Sequence, residues 1–137
     1  MMREDLGYAH RHQEYDAYGN VVKETYYNEN EEPAIWKEAG YASCEKLFEN
    51  GNQIACSYYD TNEKLTLRKD YGYAIRKNQY DKYGRTIFRR YYGIEGEPVI
   101  NSEDHCAGWG YWYDEKGNET DVWYVVLHPV SNNTLLG

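Results

Sequence analysis

Residues 72–93 read GYAIRKNQYDKYGRTIFRRYYG, and the fold follows from how this stretch divides. At its centre Asp81-Lys82-Tyr83-Gly84 has the form Asp-x-x-Gly. The Asp side chain accepts from backbone amides ahead of it, and Gly takes positive φ without a Cβ clash, so the four residues suit a type I turn closed by a left-handed glycine. That is the connection of a short hairpin with a bulge. After the turn Ile87, Arg89 and Tyr91 alternate with Thr86, Phe88, Arg90 and Tyr92. A period of two rich in Ile, Thr and aromatics reads as a strand.

Working outward, the same text recurs along the chain. Gly7-Tyr8-Ala9, Gly40-Tyr41-Ala42, Gly72-Tyr73-Ala74 and a degraded His105-Cys106-Ala107 lie 33, 32 and 33 residues apart. The turns are Tyr15-Asp16-Ala17-Tyr18-Gly19-Asn20, Phe48-Glu49-Asn50-Gly51-Asn52, Tyr80 to Arg85, and Tyr113-Asp114-Glu115-Lys116-Gly117-Asn118. Seven residues beyond each turn glycine stand Tyr26, Tyr58, Tyr91 and Tyr124, and fourteen beyond the first three stand Pro33, Leu65 and Pro98. Such a period marks a repeat architecture in which one unit cannot bury enough surface alone and leans on its neighbour. The second turn is one residue shorter and centres on Asn50-Gly51, a strong two-residue hairpin signal.

The expected fold is therefore all-β: tandem antiparallel hairpins of about 33 residues forming one elongated twisted sheet or shallow solenoid. The units are expected at about 7–39, 40–71, 72–104 and 105–125, with residues 1–6 as an N-terminal cap and 126–137, carrying Pro129 and polar Ser131 to Thr134, as a C-terminal cap or tail. Tyr26, Tyr58, Tyr91 and Tyr124 then form one ladder, and Tyr8, Tyr41 and Tyr73 another, supplying the core that a chain poor in aliphatics lacks. Segments such as 28–39 read as longer loops with a short extra strand that tucks Ile35, Leu67 and Ile100 under the sheet. Pro33 interrupts the only candidate helix, 29–39.

The composition limits function. With 137 residues there is room for one domain, and a net charge of −8 argues against phosphate-tracking surfaces, so no nucleic-acid partner is expected. No stretch is long and apolar enough for a membrane span, and the charged Met1 to Leu6 is unlike a signal peptide, which makes the cytoplasm the default compartment. A fragment of a longer bacterial protein would be placed at the cell surface instead. Cys44, Cys56 and Cys106 lack metal or disulfide spacing and read as small buried thiols.

The Tyr-Asp-x-x-Gly-Asn/Arg core resembles the YD repeats of RHS proteins and, more loosely, cell-wall and glucan-binding repeats and MORN repeats. It is most similar to tandem Gly-Tyr-Ala, Tyr-Asp-x-x-Gly-Asn and Tyr-Tyr-Asp-x-x-Gly-x-Pro units of gut Clostridia-type bacteria, from Gly7 to about Val125. The resemblance implies a β-hairpin array and a bacterial source. The unit here is longer than an RHS repeat, the chain is too short to close a shell, and only Gly108-Trp109 matches the Gly-Trp wording of choline-binding hairpins.

Among chemistry-bearing residues, Trp109, Tyr111, Trp112, Tyr113 and Trp123 form the candidate ligand platform, since ring faces stack on sugars while nearby polar groups bond hydroxyls. Alternation puts Trp109, Tyr111 and Tyr113 on one face and Trp112 on the other. A quaternary ammonium is a variant ligand. His10 and His12 share a strand face without a third metal ligand, and each turn offers one carboxylate where calcium needs six or more oxygens, so no metal or cofactor is expected. Adjacent His105-Cys106 would point to opposite faces of a strand, and no nucleophile has an evident base, so no enzyme activity is expected. Two sequons, at Asn118 and Asn132, read as accidental. The leading expectation is a non-catalytic module binding carbohydrate or a cell-surface polymer. The alternative is a structural, self-assembling or protein-interaction scaffold, associating through its edge strands.

Overall fold

The computed structural model describes residues 5–127 and 135–136. It is all-β, with strands β1 (His10–Tyr15), β2 (Val21–Tyr27), β3 (Ser43–Glu49), β4 (Asn52–Tyr59), β5 (Ile75–Tyr80), β6 (Thr86–Tyr92), β7 (Gly108–Tyr113), β8 (Glu119–Leu127) and a two-residue β9 (Leu135–Leu136). Each strand pairs antiparallel with the next, so the sheet is an open meander with β1 at one edge. The part of the C-terminal cap at 128–134, with Pro129 and Ser131 to Thr134, and the first four residues of the N-terminal one lie outside the described residues.

Two kinds of ladder alternate. Within the hairpins β1/β2, β3/β4, β5/β6 and β7/β8, six or seven residue pairs face each other, and each hairpin has one register shift just before its turn. Between hairpins only three pairs form: Lys23–Thr25 with Ser43–Glu45, Ala55–Ser57 with Ile75–Lys77, and Phe88–Arg90 with Gly108–Gly110. Neighbouring hairpins are joined at their bases and part toward their tips.

The tips are built as their residues dictate. Amides of Tyr18 and Asn20 donate to Asp16 Oδ1, and the same pairs recur from Tyr83 and Arg85 to Asp81 and from Lys116 and Asn118 to Asp114. The short second turn has Asn50 at φ 52° and Gly51 at φ 81°, the two left-handed residues that a type I′ hairpin requires. The segments expected as irregular loops begin with a second copy of the longer turn. Asn28 and Asp60 receive amides at i+2 and i+4 as Asp16 does. Gly93 has no side chain for this, and Glu97 Oε1 reaches back to the Glu95 amide instead. Each segment then returns as a single bridge, Tyr27 to Pro33, Tyr59 to Leu65 and Tyr92 to Pro98, where a short extra strand was anticipated.

The core lies where these segments cross one face of the sheet. The two expected tyrosine ladders are one zigzag row: Tyr8–Tyr26 4.5 Å, Tyr26–Tyr41 5.9 Å, Tyr41–Tyr58 4.7 Å, Tyr58–Tyr73 5.9 Å and Tyr73–Tyr91 4.8 Å between ring centroids. Each such pair contributes about 0.5–1.5 kcal/mol beyond area burial. Cys106 takes the next seat and is buried, because the fourth unit has Cys where the others have Tyr. His105 holds the place of Gly40 and Gly72 at φ 58°, in a turn before β7, so the strand expected there is absent.

Two expectations are corrected. Tyr124 is not a ladder member: it is 51% exposed, while Tyr26, Tyr58 and Tyr91 are 3–4% exposed beside Gly40-Tyr41-Ala42, Gly72-Tyr73-Ala74 and His105-Cys106-Ala107. No such segment covers Tyr124 among the described residues. Leu67 and Ile100 do not tuck under the sheet but are 44% exposed, and Ile35 is half-buried. The inward seat belongs to the next residue in each segment, where Trp36, Arg68 and Asn101 donate their amides to the carbonyls of Tyr41, Tyr73 and Cys106. Trp36 packs on Tyr26 and Tyr41, each 5.7 Å away. Arg68 lies over Tyr58 and Tyr71 at 4.9 and 4.5 Å, bonded to the Tyr58 hydroxyl and forked onto Asp70. Its flat guanidinium does the work of a ring, with its charge matched by the Asp70 carboxylate.

Candidate functional site

Because the β6/β7 ladder ends at Phe88 and Gly110, the tips of the third and fourth hairpins diverge around a cleft of about 480 Å³. Residues of both sheet faces reach it: Gln79, Asp81, Arg85 and Phe88 from the third hairpin, Tyr111, Trp112, Tyr113 and Trp123 from the fourth. The corresponding cleft between the second and third hairpins, about 710 Å³, is lined by Asn50, Asn52, Lys77, Lys82 and their neighbours and has no tryptophan. Tyr80 is the one aromatic lining that cleft, so of these two the C-terminal cleft alone has tryptophan walls.

The five sequence-predicted residues separate. Trp109, Tyr111 and Tyr113 share a face as expected and stack in a column, 4.8 and 6.4 Å between successive centroids. Guanidinium groups cover both ends, Arg89 4.8 Å from Trp109 and Arg85 4.3 Å from Tyr113. Trp109 takes no part in the cleft lining. Tyr113 has a structural task as well, since its hydroxyl donates to the Thr86 carbonyl at 3.1 Å across the cleft. On the opposite face Trp123 lies flat over Gly110, where an added Cβ would fall 2.5 Å from the indole, and its ring meets Phe88 at 5.2 Å. The bare backbone of Gly110 creates that seat. Trp112 stands out at 64% exposure, and with Asp121, Val122 and Trp123 it also lines a second hollow of about 380 Å³.

Sequence reading missed Phe88, Gly110, Gln79, Arg85 and Arg89, all set by pairing across strands. The only local trace was Gly110, two residues after Gly108 in an aromatic run. Electrostatics fix the rim. Burial opposes ionisation of Asp81, but the backbone and side-chain bonds from Arg85 overcome it and hold the carboxyl below its ordinary range. The Arg85–Asp81 pair is 2.7 Å long, so the rim carries a tied ion pair, with the Gln79 amide beside it. Burial, then the nearby Glu119, keeps Tyr111 a neutral phenol to higher pH than usual. The Trp123 indole N–H has no hydrogen-bond partner among the described residues. That N–H is buried against Gly110, so the arrangement offers ring faces, a neutral hydroxyl and an amide.

Elsewhere, Cys44 and Cys56 lie buried on adjacent strands beside Lys46, Arg68 and Arg76 around a hollow of about 160 Å³. The hydrogen bond from Cys44 holds the Cys56 thiol below its ordinary range against the cost of burial, and the bond from Tyr58 and the charges of Arg76 and Lys46 assist. His10 and His12 do share a face of β1, opposite Tyr27 and Thr25. Among the described residues no group of three or more His, Cys, Asp or Glu is placed to hold a metal ion, and no helix is long and apolar enough to cross a membrane. No family model matches the chain, and no curated protein or solved structure matches it.

Proposed function

We propose that the chain is a tandem array of hairpin units of about 33 residues acting as a non-catalytic carbohydrate-binding module, with a bacterial cell-surface glycan as ligand and the C-terminal cleft as its site. The supporting observation is the exposed Trp112 ring on a cleft otherwise walled by Tyr111, Tyr113 and Trp123 and rimmed by Gln79 and the Asp81–Arg85 pair. A pyranose presents an apolar C–H face to a ring and hydroxyls at its edge, and a few polar groups on an aromatic wall match both. The neutral Tyr111 hydroxyl, both donor and acceptor, and the Gln79 amide supply the polar contacts that fix orientation.

The test is a glycan array of bacterial wall and glucan oligosaccharides, followed by calorimetric titration of the strongest responder. Binding is expected to fall at least about tenfold in Trp112→Ala, the loss of one stacking contact. Tyr18→Ala, at the 91% exposed tip of the first hairpin and outside the cleft, is expected to leave affinity unchanged. No response on the array, or equal loss in both variants, overturns the reading.

A further inference from the structure

We propose that copies of this chain join head to tail, the outer edge of β8 in one copy pairing with the outer edge of β1 in the next. The proposed register is that of the three junctions already present within the chain. At those junctions the amides of Tyr26, Tyr58 and Tyr91 donate to the carbonyls of Ala42, Ala74 and Ala107, and the tyrosine rings are covered. Tyr124 occupies the same place in the fourth hairpin, opposite Trp109 as Tyr26 is opposite Arg11. Its ring is half exposed, and the same register turns its amide away from β7, toward the outer edge. β9 pairs with the same edge at Val126 and Leu127, as Pro33 touches β2 at Tyr27, and among the described residues no strand pairs with the outer edge at 121–124.

The other edge is its complement. Ala9 stands where Ala42 and Ala74 stand, preceded by Tyr8 where they have Tyr41 and Tyr73. Transferring the register of Lys23–Thr25 on Ser43–Glu45 sets Tyr124 N–H on the Ala9 carbonyl, Val122 opposite Arg11, Trp123 opposite His10 and Asp121 opposite His12. The last pair takes the place of Lys23 and Glu45, an ion pair at 4.0 Å, with the carboxylate now on the other strand. The three-residue ladder stops before Glu14 and Glu119 would meet. Tyr8 of one copy then covers Tyr124 of the other as Tyr41 covers Tyr26. The contact is heterologous, so it propagates into a linear chain of copies.

Two substitutions block one edge each while sparing bonds within the hairpins. Tyr124→Pro removes the outward amide of β8, and Arg11→Pro removes the outward amide of β1; proline is tolerated at such edge positions. Sedimentation velocity on the unaltered chain is expected to show species that grow with concentration. Either variant alone is expected to associate at least about tenfold more weakly, and an equimolar mixture of the two to give a dimer that grows no further. A monomer throughout for the unaltered chain, growth unaffected by either substitution, or a mixture without a dimer overturns the proposal. Should proline disturb folding, seen as loss of near-ultraviolet dichroism, Asp121→Lys and His12→Glu replace the pair. Each is expected to weaken association alone, and mixed chains to recover it; no recovery overturns the proposal. Neither result depends on glycan binding.

Discussion

The hydroxyl of Tyr80 donates to the carbonyl of Gln53 at 2.7 Å, closing the space between the second and third hairpins just above the point where their ladder ends. Tyr113 makes the same tie to Thr86 one junction later. The tyrosine of the Tyr-Asp-x-x-Gly signature thereby fastens the third and fourth hairpin tips to the one before. The second hairpin has Phe48 in that place, without a hydroxyl, and in the first, Tyr15 turns its hydroxyl to Gln13 on its own strand.

Removing the tie is expected to cost about 1 kcal/mol in Tyr80→Phe, and no more than that in Tyr113→Phe, whose bond is longer. The converse, Phe48→Tyr, adds a hydroxyl facing the Val21 carbonyl and is expected to stabilise by up to about 1 kcal/mol. Urea midpoints at constant m-value measure all three.

Tyr58 and Tyr124 hold equivalent places and very different surroundings. Tyr58→Ala, in the middle of the ring row, is expected to destabilise by about 3–5 kcal/mol. Tyr124→Ala is expected to cost under about 0.5 kcal/mol in dilute solution, as an exposed substitution. Thermal or chemical denaturation at low protein concentration checks the contrast.

Glu31 and Glu63 sit at φ 61° and 62° in turns where the third unit has Gly96 at φ 80°. A left-handed glutamate carries a steric cost that glycine does not, only partly offset by glycine's greater freedom when unfolded. Glu63→Gly is expected to raise stability by about 0.5–1 kcal/mol, and Gly96→Glu to lower it similarly, both read as shifts in Tm.

Ionisation limits the stable range at both ends. The backbone and side-chain bonds of Asn20 and Asn118 hold Asp16 and Asp114 below the ordinary carboxylate range. Glu24 is also lowered, burial being outweighed by bonds from Tyr26 and Gln13. Carboxyls depressed in the fold stabilise above their unfolded value of about 4, and that contribution is lost as pH falls further. Burial raises Tyr26, Tyr41, Tyr58 and Tyr91. For these the contribution is complete below the unfolded value of about 10 and disappears above it. Stability against pH is therefore expected to be a plateau with shoulders below about 4 and above about 10. Phenolate absorbance is expected to rise for the row together with alkaline unfolding, not before it.

Much of this fold was legible because it is written in turns. Asp16, Asp81, Asp114 and Asn50-Gly51 carry their geometry in local chemistry, and the strands follow from period two. The second turn of each unit was less visible, since Asn28 to Glu32 and Asp60 to Lys64 place glutamate where the motif wants glycine. The inward seat was missed by one residue because Arg68 and Asn101 look like loop surface and Leu67 and Ile100 like core. Only the ring beneath Arg68 and the carbonyl beside Asn101 explain the inversion. At the candidate site alternation separated Trp112 from Trp109, Tyr111 and Tyr113, but the seat of Trp123 on Gly110 arises from cross-strand register, which periodicity does not contain.

The alternation of six- or seven-pair ladders with three-pair junctions also sets how the sheet meets load. Pulled across its strands, it is a series of strong links joined by weak ones, so tension is expected to unseat one hairpin at a time. Extension is then expected to proceed in steps of similar length, one hairpin released at each.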